Sequence, residues 1–230
     1  MRHLPLHPEP TQLTVARPGL QPDWKQIPRP VKRAIRDRLY RHQFGLCGYC
    51  EGSLGELGRH IEHVEPKGGI GGNPARTFDY SNLIASCQGD TDKPKRAGQD
   101  ASCGHFKDQC IRTQGAFSLG DFISPRESGC DQKFKYLSDG RVIPAAQLGT
   151  PDHSRAEYTI KVAGLDCHRL RNRRRQIAGK IIRQISRLHN DPVHLQSLAN
   201  HYLQAHSDSN GTDVLLSFYS TRKQRFFPVT

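Results

Sequence analysis

No long apolar run exists in this chain. Nothing in its 230 residues approaches the roughly 20 consecutive apolar residues of a spanning helix, which excludes a helical membrane protein. Met1 to Gly19 contains Pro5, Pro8, Pro10 and Pro18 but no apolar stretch. A Sec signal peptide is therefore not expected, and a cytoplasmic (bacterial) location is. Aromatic residues are scarce, at 7% with one Trp, and hydrophobic residues make up only 35%. Even so, 21 Gly and 15 Pro are too few for a low-complexity disordered chain. Acidic residues are in short supply: 22 Asp and Glu stand against 34 Lys and Arg, a net charge of +12. That balance favours a polyanionic partner, most commonly nucleic acid. No Gly-x-x-x-x-Gly-Lys-Ser/Thr occurs, so the chain carries no P-loop.

The length suits one domain with appendages or two small ones. Residues 1–28 are Pro-rich and without period, and read as an extended arm anchored by Trp24. A helix is expected from Pro30, because Val31, Ile35 and Leu39 recur at i, i+4 and i+8. The turn Ser138-Asp139-Gly140 separates two short strands, Phe134–Tyr136 and Arg141–Ile143. Ser154, with Glu157 three residues on, reads as a capping box. A long helix follows from about His168 to Asn190, with Leu170, Ile177, Ile181, Ile185 and Leu188 on one face. A shorter helix, about Pro192 to His206, carries Val193, Leu195, Leu198 and Leu203. The long helix also holds eight Arg and Lys residues and no acid, a charge density that calls for an anion. Arg171, Arg174 and Arg175 are its expected phosphate contacts, since the guanidinium fork binds two oxygens at once. A docking face for an acidic protein stays as the alternative.

Seven cysteines, an odd number with no export signal, point away from disulfides and toward a metal site plus spare thiols. Cys47-Gly48-Tyr49-Cys50 has the spacing at which a tight turn aims two thiolates at one Zn2+. The βαβ context that a redox pair needs is missing. Cys87 and Cys103 complete a four-thiolate site, with 88–102 as a looped-out insertion; Cys110 is an alternative for one of the four. Residues 45–110 have too little apolar content for a core of their own, as expected of a metal-dependent fold. The loop Gly68–Gly72 does not open a helix and reads as a connector between strands.

Between the cysteine pairs stand Arg59-His60-Ile61-Glu62-His63-Val64-Glu65-Pro66-Lys67 and Tyr80-Ser81-Asn82-Leu83, and Gly104-His105-Phe106-Lys107 follow Cys103. In this order the residues resemble an HNH nuclease motif. With Gln43–Glu51, the later Phe134-Lys135-Tyr136 and the Leu165-Asp166-Cys167 segment, they are similar to the HNH subunit of Septu-type antiphage systems (PtuB-like), a family also found beside some retrons. The likeness spans Pro30 to about Ile182.

The resemblance implies an α+β fold: a zinc-stapled ββα-metal (HNH) nuclease core, residues 29–112, with helical N- and C-terminal flanks, the region 113–230 being mixed and then helical. It implies phosphodiester hydrolysis in DNA or tRNA with His63 as general base, Glu62 as ligand of a catalytic Mg2+ or Mn2+, and Asn82 holding the loop that orients His63. The family's third catalytic position falls on Gly104, so His105 is the nearest ligand, with Asp108 as fallback. Lys107 is a further expected nucleic-acid contact. Strand alternation sends Glu62 and His63 to opposite faces unless a bulge or strand end intervenes. The resemblance also implies an SMC-like ATPase partner (PtuA-like). A non-catalytic zinc-knuckle nucleic-acid-binding module is the alternative function.

Overall fold

The computed structural model describes residues 1–21, 23–87, 101–115, 117–188 and 191–229. Its N-terminal segment is not an extended arm. Thr11–Ala16 form α1, and Met1, Leu4, Leu13 and Ile27 are buried in the main core. Proline spacing concealed this, because Pro10 precedes the helix, where its missing N–H costs nothing. The expected helix follows as α2, Arg29–His42, burying Val31, Ile35 and Leu39 and turning its cationic side outward. A short α3, Leu54–Leu57, is capped by Ser53, which accepts from Glu56 N.

The strands β1, Arg59–His63, and β2, Leu83–Cys87, pair antiparallel in unbroken register from Arg59↔Cys87 to His63↔Leu83. Every residue of β2 is buried, because α2 packs on it and so does α4, Cys103–Gln114. Residues 88–100, most of the expected insertion, lie outside the described residues. Buried Gln43, at the end of α2, clamps β2 through its amide: Nε2 donates to Leu46 O and Ala85 O, both at 2.8 Å, and Oε1 accepts from Ala85 N at 2.7 Å. Arg126 ties the N-terminal segment to the same strand, donating to Pro5 O at 3.0 Å and Leu83 O at 2.7 Å.

Beyond the core, β3, Phe134–Tyr136, pairs with β4, Val142–Pro144, across the expected turn. The next helix, α5, spans Pro151–Val162. Its cap is Thr150, accepting from His153 N at 3.2 Å, and the expected cap Ser154 lies inside the helix. Pro151 at the first helical position sets that earlier start. The long basic helix is α6, His168–Arg187; Asn190 lies outside the described residues. Then come α7, Pro192–Leu203, capped by Asp191, a small hairpin of β5, His206–Ser207, and β6, Asp213–Val214, and α8, Tyr219–Phe226. Val193 of α7 is 74% exposed, so that helix buries Ala199 and Tyr202 instead of the expected stripe. α8 returns to β3, and Ser220 donates to the buried Glu51 beside the cysteine turn.

Replacing Gln43 with Leu should destabilise the protein by about 2 kcal/mol or more, since a buried N–H and two carbonyls lose their partners. Urea unfolding of the zinc-loaded variant measures this, and a loss below about half that value contradicts the clamp.

Candidate functional site

Four buried cysteines meet where α2, β1–β2 and α4 converge. Cys47 and Cys50 come from the turn after α2, Cys87 ends β2, and Cys103 begins α4. Their sulfurs all lie within 4.8 Å of one another, with Cys50 and Cys87 Sγ 3.8 Å apart. Sulfurs about 2.3 Å from a tetrahedral zinc are separated by about 3.8 Å, so the donor set fits Zn2+. Two main-chain N–H groups point at sulfur: Gly52 N to Cys50 Sγ at 3.4 Å and Cys87 N to Cys47 Sγ at 3.3 Å. Glu51 and Cys103 hold φ of +62° and +63°, a conformation that side chains disfavour, at two points where the chain must bend to aim sulfur inward. Mutual proximity and burial push the Cys87 and Cys103 thiols up, a conflict that a divalent cation removes. Cys110 is buried further along α4 and is not in the cluster, whose fourth member is Cys103.

His63 ends β1, and its ring is buried against Trp24, edge to face at 4.8 Å. Trp24 in turn stacks on Phe78 at 5.8 Å. The sequence marked Trp24 as an anchor; its seat on His63 was not legible there. His63 Nε2 stands 3.0 Å from Thr77 O. A carbonyl only accepts, so Nε2 carries the proton and Nδ1 keeps its lone pair. Burial, with Lys67 and Lys107 nearby, depresses the imidazole pKa to about 4, so the ring is neutral at physiological pH. Asn82 fixes the loop around it: its side chain accepts from Glu65 N at 2.8 Å and donates to Glu65 O at 2.9 Å and Arg76 O at 3.3 Å. Arg76 adjoins Thr77, so Asn82 pins both ends of the segment that touches His63.

Glu62 points the other way. The register through β1 is continuous, with no bulge, so alternation keeps Glu62 and His63 on opposite faces. Glu62 is 4% exposed and pairs with Lys107 Nζ at 2.9 Å, while Tyr49 OH donates to it at 3.3 Å and His60 Nε2 stands 3.6 Å away. Although burial opposes ionisation, Lys107 and His60 hold its pKa at about 2. His105 is exposed and stacks on His60 at 4.2 Å. Asp108 is raised by burial and by Glu62. Among the described residues, the four cysteines are the group of three or more His, Cys, Asp or Glu donors close enough to share an ion. A Cβ on Gly104, the family's third position, would lie 2.7 Å from Glu62 Cδ and 2.8 Å from His60 Nε2, so a larger residue there would displace both side chains.

The expected nucleic-acid contacts divide. Arg175 is exposed, as are Arg173, Lys180, Arg183 and Arg187 on the same helix. Arg171 is exposed and paired with Asp166 at 2.5 Å. Arg174 is buried: it falls in the inward stripe Leu170, Arg174, Ala178, Ile181, donates to Leu165 O at 2.8 Å and lies 5.2 Å from the Tyr136 ring centroid. Lys107 is also wholly buried. Neither reaches solvent, and both expectations are corrected.

Cys103→Ser should abolish binding of one zinc per chain and unfold the core, whereas Cys110→Ser should retain the metal; elemental analysis of purified protein decides between them. His63 predicts an acid dependence of stability. Above about pH 6.5 neither state protonates it; between there and about 4 the unfolded chain takes up a proton that the folded ring refuses, so stability falls. His63→Gln should lower the slope of unfolding free energy over that window by up to about 1.4 kcal/mol per pH unit. Equal slopes in wild type and variant contradict the buried neutral ring.

Comparison with known proteins supplies the remaining evidence. No family model matches the chain. The protein named "Retron Vc95 putative HNH endonuclease" of Vibrio cholerae serotype O1 biovar El Tor is 30% identical over 152 residues, 66% of this chain and 67% of the relative. "Retron Ec83 putative HNH endonuclease" of Escherichia coli is 27% identical over 188 residues, covering 67% of this chain and 69% of that protein. With a cysteine cluster fit for zinc, the Glu62-His63 pair and Asn82 in order, and this likeness across 66% of the chain and 67% of the relative, the chain belongs to the family of retron-associated HNH endonucleases.

Proposed function

We propose that this protein is an endonuclease that hydrolyses phosphodiester bonds of DNA or tRNA, with His63 as general base. The observation that carries the reading is the state of His63: a neutral ring whose Nε2–H is committed to Thr77 O, leaving Nδ1 to accept a proton. A water at Nδ1 would lose its proton there as it attacks phosphorus, while the leaving oxygen departs on the opposite side and takes a proton from solvent. Asn82 keeps the Thr77 segment in place during this step. The cysteine-bound Zn2+ supplies rigidity, holding β2 and α4 in the positions that frame β1.

The Mg2+ or Mn2+ that the family resemblance implies does not fit the residues expected to hold it. Glu62 is committed to Lys107 and Tyr49. The exposed cations of α6 support substrate binding, with Arg173, Arg175, Lys180, Arg183 and Arg187 available to phosphates. The wider reading is an effector of antiphage defence controlled by an SMC-like ATPase. Its support is the resemblance, together with the absence of a P-loop from this chain.

His63→Ala should reduce plasmid or tRNA cleavage by about 100-fold or more, while salt-sensitive nucleic-acid binding persists. A variant that keeps more than about a tenth of the wild-type rate removes His63 from the base role. If the wild-type protein binds nucleic acid but cleaves none, with or without an ATPase partner, the zinc-knuckle binding module takes its place.

A further inference from the structure

Lys107 has no exposed side-chain surface, which is unusual for lysine unless the charge is fully partnered. Its three N–H bonds are accounted for: Glu62 Oε1 at 2.9 Å, His63 O at 2.9 Å and Val64 O at 3.3 Å. The ammonium group also lies 5.2 Å from the centroid of the Phe117 ring. Glu62 is equally enclosed, with Tyr49 OH on Oε1, His60 beside Oε2, and the start of α4 pressing on its carboxyl carbon at Gly104. An ammonium nitrogen therefore sits against the carboxylate that a family reading reserves for a divalent ion.

We propose that Lys107 takes the place of that ion at Glu62. Its ammonium group neutralises the carboxylate and fixes the main chain of His63 and Val64, so that Glu62 is a strut of the site and not a metal ligand. The bond to His63 O makes Lys107 a positioning residue: it touches no solvent and no substrate, yet it bears on the backbone that carries the proposed base. This last point rests on the reading of His63 as base; the pairing with Glu62 does not. The geometry also explains Gly104. Helix α4 must come close enough for Lys107 to reach β1, and any Cβ at its second residue would strike Glu62.

The test compares four full-length, zinc-loaded proteins: wild type, Lys107→Met, Glu62→Gln and the double variant. Removing one partner of a buried pair leaves a charge unpaired, whereas removing both does not. Each single variant is expected to lower the folding equilibrium constant in urea by about tenfold or more, with the double variant less affected than the two losses combined. Mn2+ titration calorimetry should give the same result, whatever its affinity, for wild type and Glu62→Gln. In the nuclease assay Lys107→Met should lower kcat while leaving KM and the salt dependence of binding within about twofold, as befits a group that meets no substrate. Should Lys107→Met fail to fold, Lys107→Gln, whose amide can still donate to His63 O, takes its place throughout. Strictly additive stability losses overturn the pairing. Mn2+ binding at least about tenfold weaker in Glu62→Gln restores the metal-ligand role, since a hard cation requires the charged oxygen. A raised KM with unchanged kcat returns Lys107 to substrate binding. Stability and Mn2+ uptake need no turnover, so an inactive wild-type protein refutes the nuclease reading and leaves this test standing.

Discussion

Four sulfur atoms within 4.8 Å of one another are the constraint on which the central architecture depends. They join the turn after α2, the end of β2 and the start of α4, three points far apart in sequence. The segment between them offers two short strands and glycine-rich connections, with few apolar side chains to bury. Without a cation, four buried thiols crowd one another, and ionising more than one is opposed by desolvation and by charge. A Zn2+ reverses that balance and turns the crowding into a fourfold staple. The disfavoured φ values at Glu51 and Cys103 are a local cost that ligation would offset.

Inside that staple, polar groups set positions that apolar packing leaves loose. Gln43 reads the edge of β2, Asn82 closes the loop at Glu65 and Arg76, and Lys107 gathers Glu62 with two carbonyls of β1 and its extension. Each is a buried group whose hydrogen-bonding capacity is met by specific main-chain atoms. In a low-dielectric interior such groups are costly when unpaired, so they select one arrangement of the backbone over near alternatives. The loop Gly68–Gly72 illustrates the same economy in reverse. Gly71, at φ +80°, lets the connector lie against the Phe117 main chain, where a Cβ would come within 2.9 Å of its carbonyl carbon. Phe117 N then donates to Ile70 O, and the Phe117 ring reaches Lys107 from the other side.

Local periodicity and ligand spacing were the legible parts of this molecule. The i, i+4, i+8 stripe of α2, the turn between β3 and β4 and the four cysteines could be read because each signal lies within a few residues or within one ligand chemistry. What could not be read depends on distant partners. Arg174 sits in the same stripe as Leu170 and Ala178, so its burial was written in the periodicity, but its charge argued for the surface; the Leu165 and Gly140 carbonyls and the Tyr136 ring receive it in the interior. Lys107 looked like a phosphate contact for the same reason. The N-terminal segment looked like an extended arm anchored at Trp24 because prolines mask a short helix, and its burial depends on a core assembled from residues far downstream.

The charge distribution follows from these placements. An excess of +12 cannot be buried, and the structure internalises cations only where a carboxylate, carbonyl or ring receives them, as at Lys107 and Arg174. Others emerge on the outward faces of α2 and α6, and no acid of α6 itself offsets those on that helix. On β1 the strict alternation of a strand divides the chemistry in the same way. Glu62 turns toward the zinc knuckle and α4, where its charge is neutralised inside the protein. His63 turns toward Thr77 and Trp24, where burial strips its charge and leaves a neutral base. One residue step thus separates the carboxylate paired with Lys107 from the neutral imidazole, and a strand without a bulge is what enforces the separation.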